Sequence, residues 1–362
     1  MNPADLVPVA DMIPVPWGWF QFFLILTFML HLLLMNVMVG GGIIALFNHL
    51  RNPAQPSPLV RDLSRKFPTT IAIAVNFGVA PLLFLQVLYG HFMYVSSVLM
   101  AVYWLSVVGM LIVAYYSAYF YNMRFDALAE DAPKVLGLSV VLLMMIGFVF
   151  SNNMTLMLNP QKWTAYFDHA GGTMLNLCDP TLFPRYLHFM TASLAIGGLA
   201  IALLNLYRKK KGDPDADRLI KQGMSWFSFA TAGQIVLGII FLTVLPSEVR
   251  TLFLGGSVWH TSLLIFGISG AVLLLFFGFK KMVLSTTVLT GLIVLVMVLI
   301  RDLVRRAYLA PYFSTSDLQV ASVTQYLLLL LFVVVLLLGF GVMFYVLKLG
   351  HEAFCQEGEV RP

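Results

Sequence analysis

His188 sits one turn inside a hydrophobic segment, in the run PRYLHFMTASLAIGG (Pro184–Gly198), and small residues follow it on neighbouring turns: Thr191, Ala192, Ala195, Gly197 and Gly198. Polar groups inside an apolar membrane segment are costly and usually functional. The chemistry on offer is axial ligation of a heme iron, with the small side chains forming a groove for a flat macrocycle. The competing reading is a histidine reaching for the membrane surface beside an ordinary small-residue helix contact. Three more histidines share the pattern: His31 in FMLHLLLMN, His91 beside Tyr89 and Tyr94, and His260 after Trp259. All four are read as lying toward the outer ends of their segments. Four imidazoles at similar depth on different helices are the raw material for bis-histidine hemes. The pairings expected are His188 with His260 and His31 with His91. His49 and His351 fall at the opposite ends, where His49 is read as interfacial, and His169 falls in a connection.

Two charged groups add to this. Arg301, Arg305 and Arg306 cluster in IRDLVRRAYLAPYF, near an outer membrane face where basic residues are disfavoured. A local anion would explain them, and heme propionates would supply it through charge-assisted hydrogen bonds. Glu248 is the only acid in the connection Pro246–Trp259 and stands two residues from Arg250. Quinol oxidation requires a proton acceptor within hydrogen-bond reach of the ring hydroxyl. Glu248, held ionised by Arg250, would be that base, with Leu252, Phe253 and Leu254 as apolar surface for the quinone tail. A plain surface Glu–Arg pair closing a helical hairpin is the alternative.

These residues must be positioned by membrane helices. The 362-residue chain is 60% hydrophobic and 11% charged, the composition of a polytopic membrane protein. At roughly 20 residues per crossing, nine spans are expected: Phe20–Leu46, Thr70–Val95, Leu99–Tyr121, Val135–Leu156, Tyr186–Tyr207, Met224–Leu245, Val258–Phe279, Met282–Leu303 and Thr324–Leu347. An external segment (1–19) precedes this heme-binding domain (20–347), and a cytoplasmic tail (348–362) follows. Of the 22 Lys and Arg, 16 fall in connections one, three, five and seven and in the tail, and 6 on the opposite side. The positive-inside rule then puts the N-terminus outside and the C-terminus in the cytoplasm of a bacterial inner membrane. The net charge of +5 reflects these loops and does not suggest nucleic acid. The span interiors are read as free of Asp and Glu. Cys178 and Cys355 form no CxxC or CxxCH, so neither covalent heme nor a thiolate metal site is indicated. The start, with Asp5 and Asp11, lacks the basic region of a cleavable signal.

Over Phe20–Tyr312 the order of these features resembles subunit I of the cytochrome bd quinol oxidases. Span one resembles that family's first helix, with His31 at its heme-ligand histidine. Asn76-Phe77-Gly78, with Tyr89-Gly90 following, is similar to its NFALG…FQFG helix, and Asn153 with Asn159-Pro160 to its NGWMQNP end of helix four. Arg185-Tyr-Leu-His188 with Thr191-Ala-Ser resembles KFVHTVAS, the most specific match, and RRAYLAPY the basic YGRQPW end of helix eight. The resemblance implies that His188 is an axial ligand of a low-spin heme b. It also implies that His260 stands where the family has a methionine ligand. The family's glutamates of helices three and eight are missing, and its long quinol-binding loop is cut to Pro246–Val258.

Oxygen reduction needs protons carried through the membrane, commonly over intramembrane carboxylates. The expectation is therefore a membrane cytochrome b with one or two hemes b. It would exchange electrons between quinone or quinol and an external redox partner, such as a separate c-type cytochrome. A bd-type quinol:oxygen oxidase subunit and a heme-less structural anchor are the alternatives. A transporter is the third, and neither inverted repeats nor paired half-helices are found for it.

Overall fold

The structure, a computed structural model, describes the backbone of residues 3–53, 55–168 and 170–359; side chains of 3–4, 343–344 and 346–359 are outside the described set. Among the described residues nine long helices follow one another: α1 Trp17–Arg51, α2 Pro58–Leu99, α3 Ala101–Met123, α4 Ala132–Met157, α5 Leu182–Lys209, α6 Ala216–Val244, α7 Val258–Phe279, α8 Val283–Leu309 and α9 Tyr326–Glu359. Among the described residues, eight are long and apolar enough to cross a membrane, and the described apolar part of α9 is Tyr326–Val342. The molecule is an all-α membrane bundle. His169, Arg361, and the side chains of Lys348, His351 and Cys355 lie outside the described residues, so readings of them and of the tail's side chains cannot be placed.

Contacts between connections sort them onto two alternating faces. The N-terminal segment hydrogen-bonds to the connection before α9, Ile13 N–H donating to Gln319 O at 2.9 Å and Ala321 N–H to Ile13 O at 2.9 Å. Eight crossings return the chain to its starting face, where these two segments meet. On the opposite face Asp62 of α2 pairs with Arg208 of α5 at 2.7 Å and with Lys66, and Arg61 pairs with Asp126 at 2.6 Å.

The helix that carries His188 is the most enclosed of the candidate spans, while α3 and α7 present most of their surface outward. Small residues set α5 there. A Cβ on Gly197 would lie 2.6 Å from the Gly40 backbone of α1, and one on Gly198 would lie 2.6 Å from Gly223 O of α6. A Cβ on Gly40 would collide with Ser193 O. Without hydrophobic drive between helices in lipid, such close backbone packing supplies the association. Gly197 and Gly198 therefore serve helix crossings, not a groove for a macrocycle. Ser193 Oγ also donates to Asn36 Oδ1 across the α1–α5 seam at 2.8 Å.

The outer connection between α4 and α5 is folded down as a polar cap. Asn152 Oδ1 accepts from Asn176 N–H at 3.0 Å, and Asn153 Oδ1 accepts from Ser96 Oγ at 3.2 Å. Asp179 accepts from Thr181 Oγ1 at 2.5 Å and Asn159 Nδ2 at 2.9 Å, and pairs with Lys162 at 3.1 Å.

Two expectations need correction. Asp302 lies inside the eighth span, and it is buried, so the span interiors are not free of acid. His49, near the end of α1, is not simply a surface group: it is 1% exposed, and its Nδ1 is 2.9 Å from the Tyr121 hydroxyl of α3.

Candidate functional site

Helices α1, α5, α6, α7 and α8 surround a largely apolar cavity of about 250 Å³. His188 and Arg185 reach it from α5, three residues apart and so on one face of that helix. Arg301 reaches it from α8, Gln234 and Gly238 from α6, and Gly267 and Ala271 from α7. Ala192 and Ala195, one and two turns below His188, complete the α5 wall.

Against the His188 ring stands Gly238, where a Cβ would lie 3.2 Å from His188 Cε1. Gln234, one turn away, brings its amide nitrogen to 3.5 Å from His188 Nε2, and Nδ1 is buried with no hydrogen-bond partner. Arg185 is 8% exposed, its Nε and one Nη are buried without partners, and its guanidinium lies 5.3 Å from the Phe241 ring. Arg301 lies 4.2 Å over Phe28 and forms no ion pair among the described residues. Leaving a guanidinium in an apolar enclosure without an anion costs several kcal/mol, about what a buried ion pair loses when one partner is removed. A ligand with carboxylates removes that cost and gains charge-assisted hydrogen bonds.

These residues fit a heme. The His188 imidazole has one ring nitrogen, Nδ1, buried without a partner. Arg185 and Arg301 have no ion pair among the described residues and so could take acid groups, and Ala192, Ala195 and Ala271 are small positions in a lining that is otherwise mostly Phe, Leu, Ile and Val. Met297, which also lines the cavity, brings the one thioether in that lining.

The other expected site residues fall elsewhere. Arg305 and Arg306 do not await an external anion. Both pair with Asp302, at 3.1 and 2.9 Å, and they lie 4.8 Å from the Tyr89 ring and 5.5 Å from the Trp17 ring. Asp302 supplies their counter-charge. Arg185, not Arg305 or Arg306, stands with Arg301 at the cavity.

His260 does not line the cavity. Its Nδ1 is 2.8 Å from Ser257 Oγ, and its ring packs edge-on at 5.0 Å against Phe253, which does line the cavity. Phe253 thus stands between His260 and the site of His188. His31 turns to α2: its Nδ1 donates to Ala74 O at 3.0 Å, and the ring covers Gly78 so closely that a Cβ there would lie 2.9 Å from Cε1. His91 lies 13 residues beyond Gly78 on α2, about 20 Å along the helix, between Phe92 and Phe313 at 4.4 and 4.5 Å. One iron cannot take both His31 and His91. The equal depth expected of the four fails at His91, 17 residues beyond Ala74, which His31 meets on α2; His31 and His188 do share a level, each five residues before the Asn36 and Ser193 that bond across the α1–α5 seam.

Glu248 and Arg250 form no pair. Glu248 is exposed on the short helix Ser247–Thr251, and Arg250 Nη1 donates to Thr243 O at 2.7 Å, capping α6. Phe253 faces inward and Leu254 outward, 61% exposed, so the three apolar residues do not make one surface.

In comparison with known proteins, the chain matches no family model, no curated protein sequence and no solved structure.

Proposed function

We propose that this chain is a b-type heme protein of the membrane interior that exchanges electrons between the quinone pool and a redox partner on its outer face. The observation that carries the reading is the convergence of His188, Arg185 and Arg301 on one apolar cavity. A bound heme b supplies a one-electron carrier. His188 would hold the iron through a ring nitrogen, and Arg185 and Arg301 would hold the two propionates and keep them ionised away from water. The resemblance of PRYLHFMTAS to the low-spin heme segment of bd subunit I supports the same assignment.

Exchange with a lipid-soluble quinone is supported by the wall between α6 and α7. Ile239 and Ile268 line the cavity, yet they are 55% and 46% exposed on the outside of the bundle. One side-chain layer separates the cavity from the lipid. The quinone ring is accordingly placed at this seam and not at Glu248, and the outer partner is read as a separate c-type cytochrome in a bacterial inner membrane.

A pyridine hemochrome assay on the purified chain tests the reading. One heme b or more per chain, lost in His188→Ala, is expected. A heme-free chain expressed with ample heme overturns it. Reduction of the bound heme by a quinol, unchanged in Glu248→Gln, is the expected second result.

A further inference from the structure

At the basic end of the bundle, α5, the start of α6 and the α7–α8 turn border a second, open cavity of about 390 Å³. Lys209, Lys221 and Lys281 stand at it with a single acid, Asp217. That acid is taken: Lys209 Nζ pairs with it at 2.7 Å. Lys221 and Lys281 are exposed and have no ion pair among the described residues. Lys281 holds a left-handed backbone, φ 56°, where glycine is the usual choice at a helix end. Its N–H donates to Gly278 O at 3.0 Å and the next N–H, of Met282, to Phe277 O at 3.0 Å, so the turn closes tightly and fixes the lysine at the rim.

Beneath the lysines the cavity is apolar, with Leu206, Ile220 and Val283 among its lining. From its edge an exposed stripe runs down α8 through Leu284, Val288 and Leu292, 60%, 77% and 45% exposed. Residues four apart share one helix face, so this stripe is a track parallel to the helix, leading from the lysines into the hydrocarbon. A free phosphate would have no use for it. Basic pockets between membrane helices that adjoin lipid-facing surface hold anionic headgroups.

We propose that this cavity is a binding site for an anionic phospholipid of the leaflet at the basic end, its phosphate between Lys221 and Lys281 and an acyl chain along Leu284, Val288 and Leu292. The site is separate from the heme cavity and does not depend on it.

The test uses the purified full chain in phosphatidylcholine nanodiscs doped with either spin-labelled phosphatidylglycerol or spin-labelled phosphatidylcholine. Electron paramagnetic resonance reads the motionally restricted fraction. Several-fold preference for phosphatidylglycerol is expected, weakening as salt is raised. The Lys221→Gln/Lys281→Gln double variant should remove the preference, while Lys134→Gln, an exposed lysine at the same end, should keep it. Leu284→Ser/Val288→Ser should reduce it with the lysines intact. Circular dichroism melts confirm that each variant is folded. Equal restriction of the two lipids overturns the proposal, as does a preference that survives the double lysine variant. Displacement of the labelled lipid by inorganic phosphate at matched ionic strength would show a free-anion site and overturn it as well.

Discussion

Gly238 of α6 lies against the ring of His188 of α5, so that a Cβ there would press on the imidazole. A Cβ at 3.2 Å from Cε1 is tighter than ordinary packing, and a valine there must displace the imidazole. Gly238→Val should therefore lose most bound heme while the bundle stays folded, since the glycine faces a cavity. Hemochrome content per folded chain, set beside the circular dichroism melt, checks this. Full heme in Gly238→Val would mean that His188 does not need its observed position.

The four arginines near the outer face divide into two pairs with opposite expected behaviour. Arg305 is 7% exposed and tied to Asp302, so Asp302→Leu strands a buried charge and should cost about 3–5 kcal/mol. Arg306 is more exposed and can reach water, which holds the cost toward the lower end. Arg185 and Arg301 have no such partner. Arg301→Leu should raise the melting temperature of the heme-free chain, because an uncompensated charge is removed. It should weaken heme retention by about 10- to 100-fold, the loss of one charge-assisted bond of about 1.5–3 kcal/mol. Calorimetry on heme-free and heme-loaded protein reads both signs. A parallel response of all four arginines would dissolve the division.

Eight of the nine expected spans appear among the described residues as helices long and apolar enough to cross; they were legible because hydropathy and length decide them, and a helix satisfies its own backbone in lipid. His188 was legible for the same reason, as a polar group in an apolar run. Its partners were not. Arg185 lies one turn before His188, and a charge at that spacing was the available signal. Arg301 could not be told from Arg305 and Arg306 without seeing which of them Asp302 neutralises. The histidine pairings failed on rotation and depth. Hydropathy sets where a span lies but not which way a residue on it faces, so His31 could face α2 and Phe253 could come between His188 and His260.

Met297 is the soft donor in the lining of the cavity, and it packs against Gly267, where a Cβ would meet its Cε at 3.1 Å. Met297 lines the cavity and His260 does not, so Met297 would be the candidate to hold a heme iron together with His188, and thioether ligation would raise the reduction potential relative to two imidazoles. Met297→His should then lower the midpoint potential, and His260→Ala should leave the potential and heme content near the wild-type values. Potentiometric titration of the heme absorption decides it. A potential that falls in His260→Ala, with Met297→Leu silent, returns the ligand to His260.

Asp179 gives the outer cap its pH dependence. Burial works to raise its pKa, but the Thr181 hydroxyl and N–H and the Lys162 ammonium together hold it below the ordinary carboxylate range. A carboxyl whose folded pKa lies below its unfolded value, about 3.9, binds fewer protons folded than unfolded. Its contribution is complete above the unfolded value and is lost as pH falls through the lowered folded one. The cap should thus hold at neutral pH and loosen only in acid, below about pH 4. Hydrogen exchange at the amides of Asn176 and Thr181, which bond to Asn152 Oδ1 and Asp179 Oδ1, should accelerate over that acid range. Asp179→Asn should exchange faster at pH 7 and lose the acid transition, because an amide can still accept from Thr181 but cannot pair with Lys162. A variant that keeps the wild-type acid transition would place the titrating group elsewhere.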